Sequence, residues 1–247
     1  MQIVIASTFA AVLLLVGYGV GIWHAQTMSA SEATPKHIER APLTPRSRIV
    51  LPGVLGRIDH FGYDGKRGNL FVAALGNNTV EVINNLRGVH TIRGLEHPQA
   101  ALYSEEFDRL VVSDKAGKLR IYDGKSFAPL KTVDFGADAD NLRYERNEKR
   151  IYVAYGSGAI AMLDAESMQR LPQEFALGSH PESFQFERQG SRIFANLPDQ
   201  ESIGVIDRKS GAVTKWRIAG ATTNHALAFD EAGRRLFPPP CSRGNCG

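Results

Sequence analysis

Five polar residues recur along the chain at nearly constant spacing: Asp59, Gln99, Asp140, Glu182 and His225 follow one another at 40, 41, 42 and 43 residues. Each stands four places before an aromatic residue: Tyr63, Tyr103, Tyr144, Phe186 or Phe229. Two places before each aromatic the residue is apolar (Phe61, Ala101, Leu142, Phe184, Leu227), and six places before lies a second, largely polar tier of Arg57, His97, Asp138, His180 and Thr223. The adjacent His60, Asn141, Ser183 and Asn224 add further donors and acceptors. Carboxylates mixed with imidazole are groups that coordinate divalent ions, and a hard cation prefers the oxygen-rich set. Asp59, Asp140, Glu182 and His225 are therefore metal candidates. The wider set of Asp59, His60, Gln99, Asp140, Asn141, Glu182, Ser183, Asn224 and His225 is the candidate ligand-binding group. A plainer requirement produces the same pattern, because residues at the end of a water-filled channel must be polar to hydrogen-bond with one another and with water. Both readings stand on the sequence.

No catalytic motif accompanies these residues. The chain contains no G-x-S-x-G, H-E-x-x-H, P-loop or strand-following Rossmann glycine pattern. No catalytic residue and no cofactor are expected. His97-Pro98 and His180-Pro181 recur at equivalent positions, which argues for a structural role in a loop.

The elements that must carry these residues are short strands. After each aromatic and a turn comes an apolar strand: NLFVA at 69–73, RLVVS at 109–113, RIYVA at 150–154, RIFAN at 192–196 and RRLF at 234–237. A third strand follows, as TVEVIN at 79–84, KLRIYD at 118–123, AIAMLD at 159–164 and SIGVID at 202–207. Polar turns then lead to a weaker fourth strand, such as TVDF at 132–135 or VTKWRI at 213–218. Four antiparallel strands per unit, repeated about every forty residues, predict an all-β chain of β-propeller blades. The blades are expected at 56–97, 98–139, 140–180 and 181–223, with part of a fifth at 224–237.

The repeat from 49 to 237 resembles the YVTN family of β-propellers, the YncE-like group of secreted bacterial repeat proteins. The resemblance is carried by GRIDHFGYD (56–64), LFVAALGNNTVEV (70–82), RIYVAYGSGAIAMLDAESM (150–168) and HPESFQFE (180–187). It implies a seven-bladed, non-enzymatic propeller, some members of the family being described as DNA-binding. The pattern breaks after Phe237, where PPPCSRGNCG replaces the next strand, since prolines remove the ladder donors a central strand needs. An incomplete ring of four blades and part of a fifth is thus expected, through truncation or a frameshift, with a disordered tail at 238–247. The segment RSRIVLPG at 46–53, which closes the last blade in the family, is left without a partner blade. Open blade edges of this kind favour self-association.

Residues 3–23 carry no formal charge and are long enough as a helix to cross a bilayer, so 1–25 reads as a signal peptide or a membrane anchor. The polar, proline-bearing stretch 26–48 reads as a flexible linker. Export to the periplasm or beyond is expected, with attachment to the inner membrane if the segment stays uncleaved. Both cysteines, Cys241 and Cys246, fall in the tail, so no disulfide framework holds the repeats together. A local bridge between them and two incidental thiols are both compatible with the sequence. The net charge is +3, and basic residues alternate with acidic ones, as in YERNEKR at 144–150, a solvated surface that argues against nucleic acid as the partner. The expectation is a binding scaffold for a small ligand or a protein. The alternatives are a metal-dependent propeller enzyme of lactonase or quinoprotein type, with a metal-bound water as nucleophile, and a DNA-binding propeller.

Overall fold

The computed structural model describes residues 48–85, 88–156, 158–218 and 225–238. The expected signal or anchor segment, nearly all of the linker, Asn224, Thr223 and both cysteines lie outside the described residues. Among the described residues, no helix is long and apolar enough to cross a membrane.

The chain forms four antiparallel sheets of four strands, each built from strands consecutive in sequence. The first contains β1 (Phe61–Asp64), β2 (Asn69–Ala74), β3 (Thr79–Asn84) and β4 (Gly88–Ile92). The second contains β5 (Pro98–Ser104), β6 (Arg109–Asp114), β7 (Lys118–Asp123) and β8 (Pro129–Asp134). The third contains β9 (Ala139–Glu145), β10 (Arg150–Tyr155), β11 (Ala159–Asp164) and β12 (Arg170–Ala176). The fourth contains β13 (Phe184–Phe186), β14 (Arg192–Leu197), β15 (Ser202–Asp207) and β16 (Val213–Arg217). A fifth, two-stranded sheet pairs β17 (Ala228–Asp230) with β18 (Arg235–Phe237).

Strand alternation decides how the sheets stack. Successive side chains on a strand point to opposite faces, so an uninterrupted apolar run must be covered on both sides. On β10, Ile151 and Val153 join Val111, Leu119 and Ile121 of the second sheet, whereas Tyr152 and Ala154 join Phe184, Ile193 and Ala195 of the fourth. On β6, Leu110 and Val112 pack with Phe71 and Val82 of the first sheet, and Val111 faces the third. On β14, Phe194 turns to Leu227 and Phe229 of the fifth sheet. The core is thus a series of apolar layers, one between each pair of neighbouring sheets.

Polar struts fix the layers at the turns. The Arg67 guanidinium bridges Asp64 of its own sheet to Asp108 of the next, at 3.1 and 2.7 Å, and also donates to the Tyr103 hydroxyl. Burial and the Asp108 carboxylate push the Tyr103 phenol up to about 12. Between the third and fourth strands an Asp accepts from the backbone and hydroxyl of a Ser three residues on, at Asp123–Ser126, Asp164–Ser167 and Asp207–Ser210. These bonds hold the Asp207 carboxyl down at about 2, Ser191 contributing most. Such Asx turns reverse the chain early. With Phe127 in the left-handed region at φ 57°, β8 begins at Pro129, three residues before the strand expected from the TVDF run.

Phe184 is fully buried between the third and fourth sheets. Phe184→Ala is expected to lower unfolding free energy by about 3–5 kcal/mol. Urea denaturation checks this, and a loss below about 1 kcal/mol would show that the layer does not hold the sheets together.

Candidate functional site

The recurring polar residues lie where each innermost strand departs from regular pairing. Opposite Ala73, both Asp59 and His60 engage: Asp59 donates its N–H to the Ala73 carbonyl at 2.9 Å, and Ala73 donates to His60 at 3.2 Å. In the second sheet the register slips between Pro98 and Ala100, leaving Gln99 as the extra residue. In the third it slips between Leu142 and Ala139, so Asp140 and Asn141 together face Ala154. In the fourth, Glu182 donates to Asn196 at 3.2 Å while Asn196 donates to Ser183 at 2.8 Å. Each is a β-bulge, two residues opposing one, and a bulge re-aims the side chains it carries. The same irregularity therefore recurs in four successive sheets and delivers a pair of residues from each to one end of the inner strands.

The inner strands approach closely there. His60 donates its backbone N–H to the Gln99 carbonyl of the next sheet at 3.0 Å. A Cβ at Gly62 would stand 2.6 Å from the Ala101 carbonyl oxygen, so that position has no room for a side chain. Ser113 donates to the Asp140 carbonyl at 2.6 Å, and Arg143 Nε donates to the Phe184 carbonyl at 2.8 Å.

Asp140 is the centre of the resulting cluster. Its carboxylate oxygens lie 3.8 Å from His60 Nε2 and 3.7 Å from His180 Nε2, ion-pair rather than hydrogen-bond separations. His180 is fixed from its other side, Nδ1 donating to the Gly156 carbonyl at 2.7 Å. Asn141 Nδ2 lies 3.0 Å from His60 Nε2 and 3.3 Å from the Glu182 carbonyl. Three sheets, the first, third and fourth, thereby meet through side chains. Asp59 is shared between Arg57 at 2.7 Å and His60 at 3.8 Å. Glu182 Oε2 lies 3.1 Å from His225 Nδ1.

Burial pushes the Asp140 carboxyl up, with Glu182 and Asp59 adding to the effect, while His180 and His60 oppose it. The Asp140 carboxylate in turn raises His180 to about 9 against the cost of its own burial, and the Gly156 carbonyl adds to the rise. Desolvation lowers the Arg143 guanidinium, three residues beyond Asp140 on β9.

Of the sequence candidates, Asp59, His60, Asp140, Asn141 and Glu182 converge, and His225 joins through Glu182. Gln99 does not: its amide turns to Asp138 at 2.9 Å and the Ala139 carbonyl at 3.1 Å, tying the second sheet to the third. Ser183 is buried at its bulge. Asn224 lies outside the described residues. His180, assigned to a loop by its recurrence before proline, is the partner that sequence reasoning undervalued. The signal for it was its place in the second polar tier. Among the described residues, no group of three His, Cys, Asp or Glu side chains is placed to hold a metal ion. A surface cleft of about 320 Å³ lies elsewhere, lined by Gln185, Phe186 and Arg188 of the fourth sheet and Phe229 and Glu231 of the fifth.

No protein-family model matches the chain, and no curated protein matches it. Solved structures do. A chain of the Kuenenia stuttgartiensis hydrazine synthase aligns at a TM-score of 0.63 with 17% identity, covering 72% of this chain and 53% of that one. A chain of the mitotic checkpoint complex aligns at a TM-score of 0.65 with 18% identity, covering 85% of this chain and 65% of that one. The chain thus spans between half and two thirds of the length of these neighbours. At such identity the likeness concerns fold alone. Together with the four-stranded sheets, it makes the fold β-propeller-like.

His180 holds its proton more tightly in the fold than in the unfolded chain. The stability it adds is complete below the ordinary imidazole value of 6.5 and is lost as pH rises through about 9. In Asp140→Asn the main cause disappears, so the His180 midpoint, followed by ¹⁵N NMR, should fall back toward 6.5. An unchanged midpoint would show that Asp140 does not set it.

Proposed function

We propose that this chain is an exported, non-enzymatic β-propeller of the YVTN, YncE-like kind, a binding scaffold whose inner-strand mouth holds a cationic, hydrogen-bond-donating group. That group belongs to a small ligand or to a partner protein. In this reading the described sheets are four blades and part of a fifth. Export rests on the uncharged run at 3–23.

The observation that carries the reading is the convergence of the Asp59 and Asp140 carboxylates with His60, His180 and Asn141, held by bulges in successive sheets. Backbone pairing fixes these side chains before any ligand arrives, which limits the ordering cost of binding. Carboxylates outnumber cations there, since Asp59, Asp138, Asp140 and Glu182 stand with Arg57 and with His180, which holds its proton up to about 9. An ammonium or guanidinium group fits that balance better than a phosphate, which also speaks against DNA.

The metal-dependent alternative has less support. Glu182 and His225 are taken up with each other, and Asp59 with Arg57, so three of the four metal candidates already carry partners.

NMR titration of the protein with spermidine, and with sulfate as the anionic control, tests the proposal. Spermidine is expected to shift the His60, Asn141 and His180 signals, and Asp140→Asn to weaken its binding about tenfold, or ~1.4 kcal/mol. Shifts produced by sulfate alone, or spermidine shifts confined to other surfaces, would overturn it.

A further inference from the structure

Four acidic side chains are buried among the described residues: Asp64, Glu81, Asp114 and Asp140. Three of them have their donors. Asp64 accepts from the Lys66 and Arg67 amides and from the Arg67 guanidinium at 3.0 to 3.1 Å. Asp114 accepts from the Lys118 amide at 3.0 Å and from Arg120 Nε at 3.2 Å. Glu81 accepts from the Thr79 and Thr91 hydroxyls at 2.7 and 2.6 Å. Asp140 is 7% exposed, yet no described residue donates a hydrogen bond to its carboxylate: His60 and His180 stop short, at 3.8 and 3.7 Å. A carboxylate in that position has given up water without gaining a hydrogen bond, which is costly. It lacks a donor.

Its neighbours do not supply one. Asn141 Nδ2 lies 3.0 Å from His60 Nε2 and 3.3 Å from the Glu182 carbonyl. An amide nitrogen only donates, so His60 Nε2 holds a lone pair and has no proton for Asp140. His180 is tied through Nδ1 to the Gly156 carbonyl. His60 Nε2 lies 3.8 Å from Asp59 Oδ1 as well as from Asp140 Oδ1, so oxygens of two carboxylates flank one point.

We propose that the missing donor is a primary ammonium group of the ligand, which Asp140 selects over guanidinium and quaternary ammonium. This narrows the cation-binding reading above and rests on it. A guanidinium covers both oxygens of a carboxylate with a rigid planar fork. Here Oδ1 stands beside His60 and Oδ2 beside His180, so the fork meets an imidazole at each prong. An ammonium is a compact charge with three rotatable donors, able to serve Asp140 and Asp59 together. A quaternary ammonium has no N–H to give and is held by aromatic faces. The cluster of Asp59, His60, Asp140, Asn141, His180 and Glu182 includes no Phe, Tyr or Trp.

Three probes with one stem isolate the head group: n-butylammonium, n-butylguanidinium and n-butyltrimethylammonium. Each is titrated into the full-length chain at constant ionic strength and followed by NMR at Asn141 and His180. Butylammonium is expected to bind about tenfold more tightly than either of the others. In Asp140→Asn, with its sheets checked by circular dichroism, that preference should disappear. The wild-type ranking needs no variant and stands if Asp140→Asn does not fold. A capped lysine tripeptide separates two sources of the group. Tighter binding than butylammonium assigns it to a partner's lysine, and weaker binding to a free amine. Butylguanidinium or butyltrimethylammonium binding as tightly as butylammonium would overturn the inference while leaving cation binding in place. Silence of all three probes would overturn it as well, and if spermidine is also silent the cation-binding reading falls with it.

Discussion

Tyr152 and its counterparts Phe71, Val111 and Phe194 each project from the middle of a second strand into the sheet that follows, and each is buried there. The remaining architecture depends on these insertions. A four-stranded sheet with apolar residues on both faces is not stable alone in water, and among the described residues the short connections supply no α-helix to cover either face. Stacking the next sheet on the first is the solution the repeat enforces. Once second strands set the spacing, the inner strands are brought so close that Gly62 has no room for a Cβ and backbone groups bond directly between sheets, as His60 does to Gln99.

That proximity has a chemical result. At the end of each inner strand the ladder admits one extra residue, and the bulge turns two consecutive side chains toward the crowded end. Polar residues are required there, since each must find a partner among neighbours drawn from other sheets. The partners differ in kind. Gln99 satisfies itself on Asp138 and Ala139 and serves only to join sheets, while Asp140 is left between two imidazoles at distances that leave room for competition by a ligand. Structural satisfaction and binding capacity thus coexist at equivalent positions of one repeat.

Much of this was legible in the sequence because it follows from period. The apolar runs NLFVA, RLVVS, RIYVA and RIFAN fall on β2, β6, β10 and β14, and the spacing of the aromatics gave the sheet repeat. The polar tier was visible for the same reason. The bulges were not, because nothing in Asp140-Asn141 distinguishes a pair that shares one side of a strand from a pair that alternates. Nor was the divergence of Gln99 from Asp140, which depends on whether a neighbouring acid, here Asp138, lies within reach of the amide. The fourth strand was placed late because its start is governed by the Asp123–Ser126 turn, whereas apolar content points only to its end.

The central claim is that bulged backbone pairing, fixed by sheet packing, holds the polar pairs in place. Native-state hydrogen exchange at the Asp59, His60, Glu182 and Asn196 amides tests it most directly. The account predicts that these amides open only with the sheets themselves, at rates matching the buried Ile151 and Ile193 amides. Exchange as fast as that of the turn amides at Lys125 or Lys209 would contradict it, and would mean that the cluster is loop-borne and not held by the sheets.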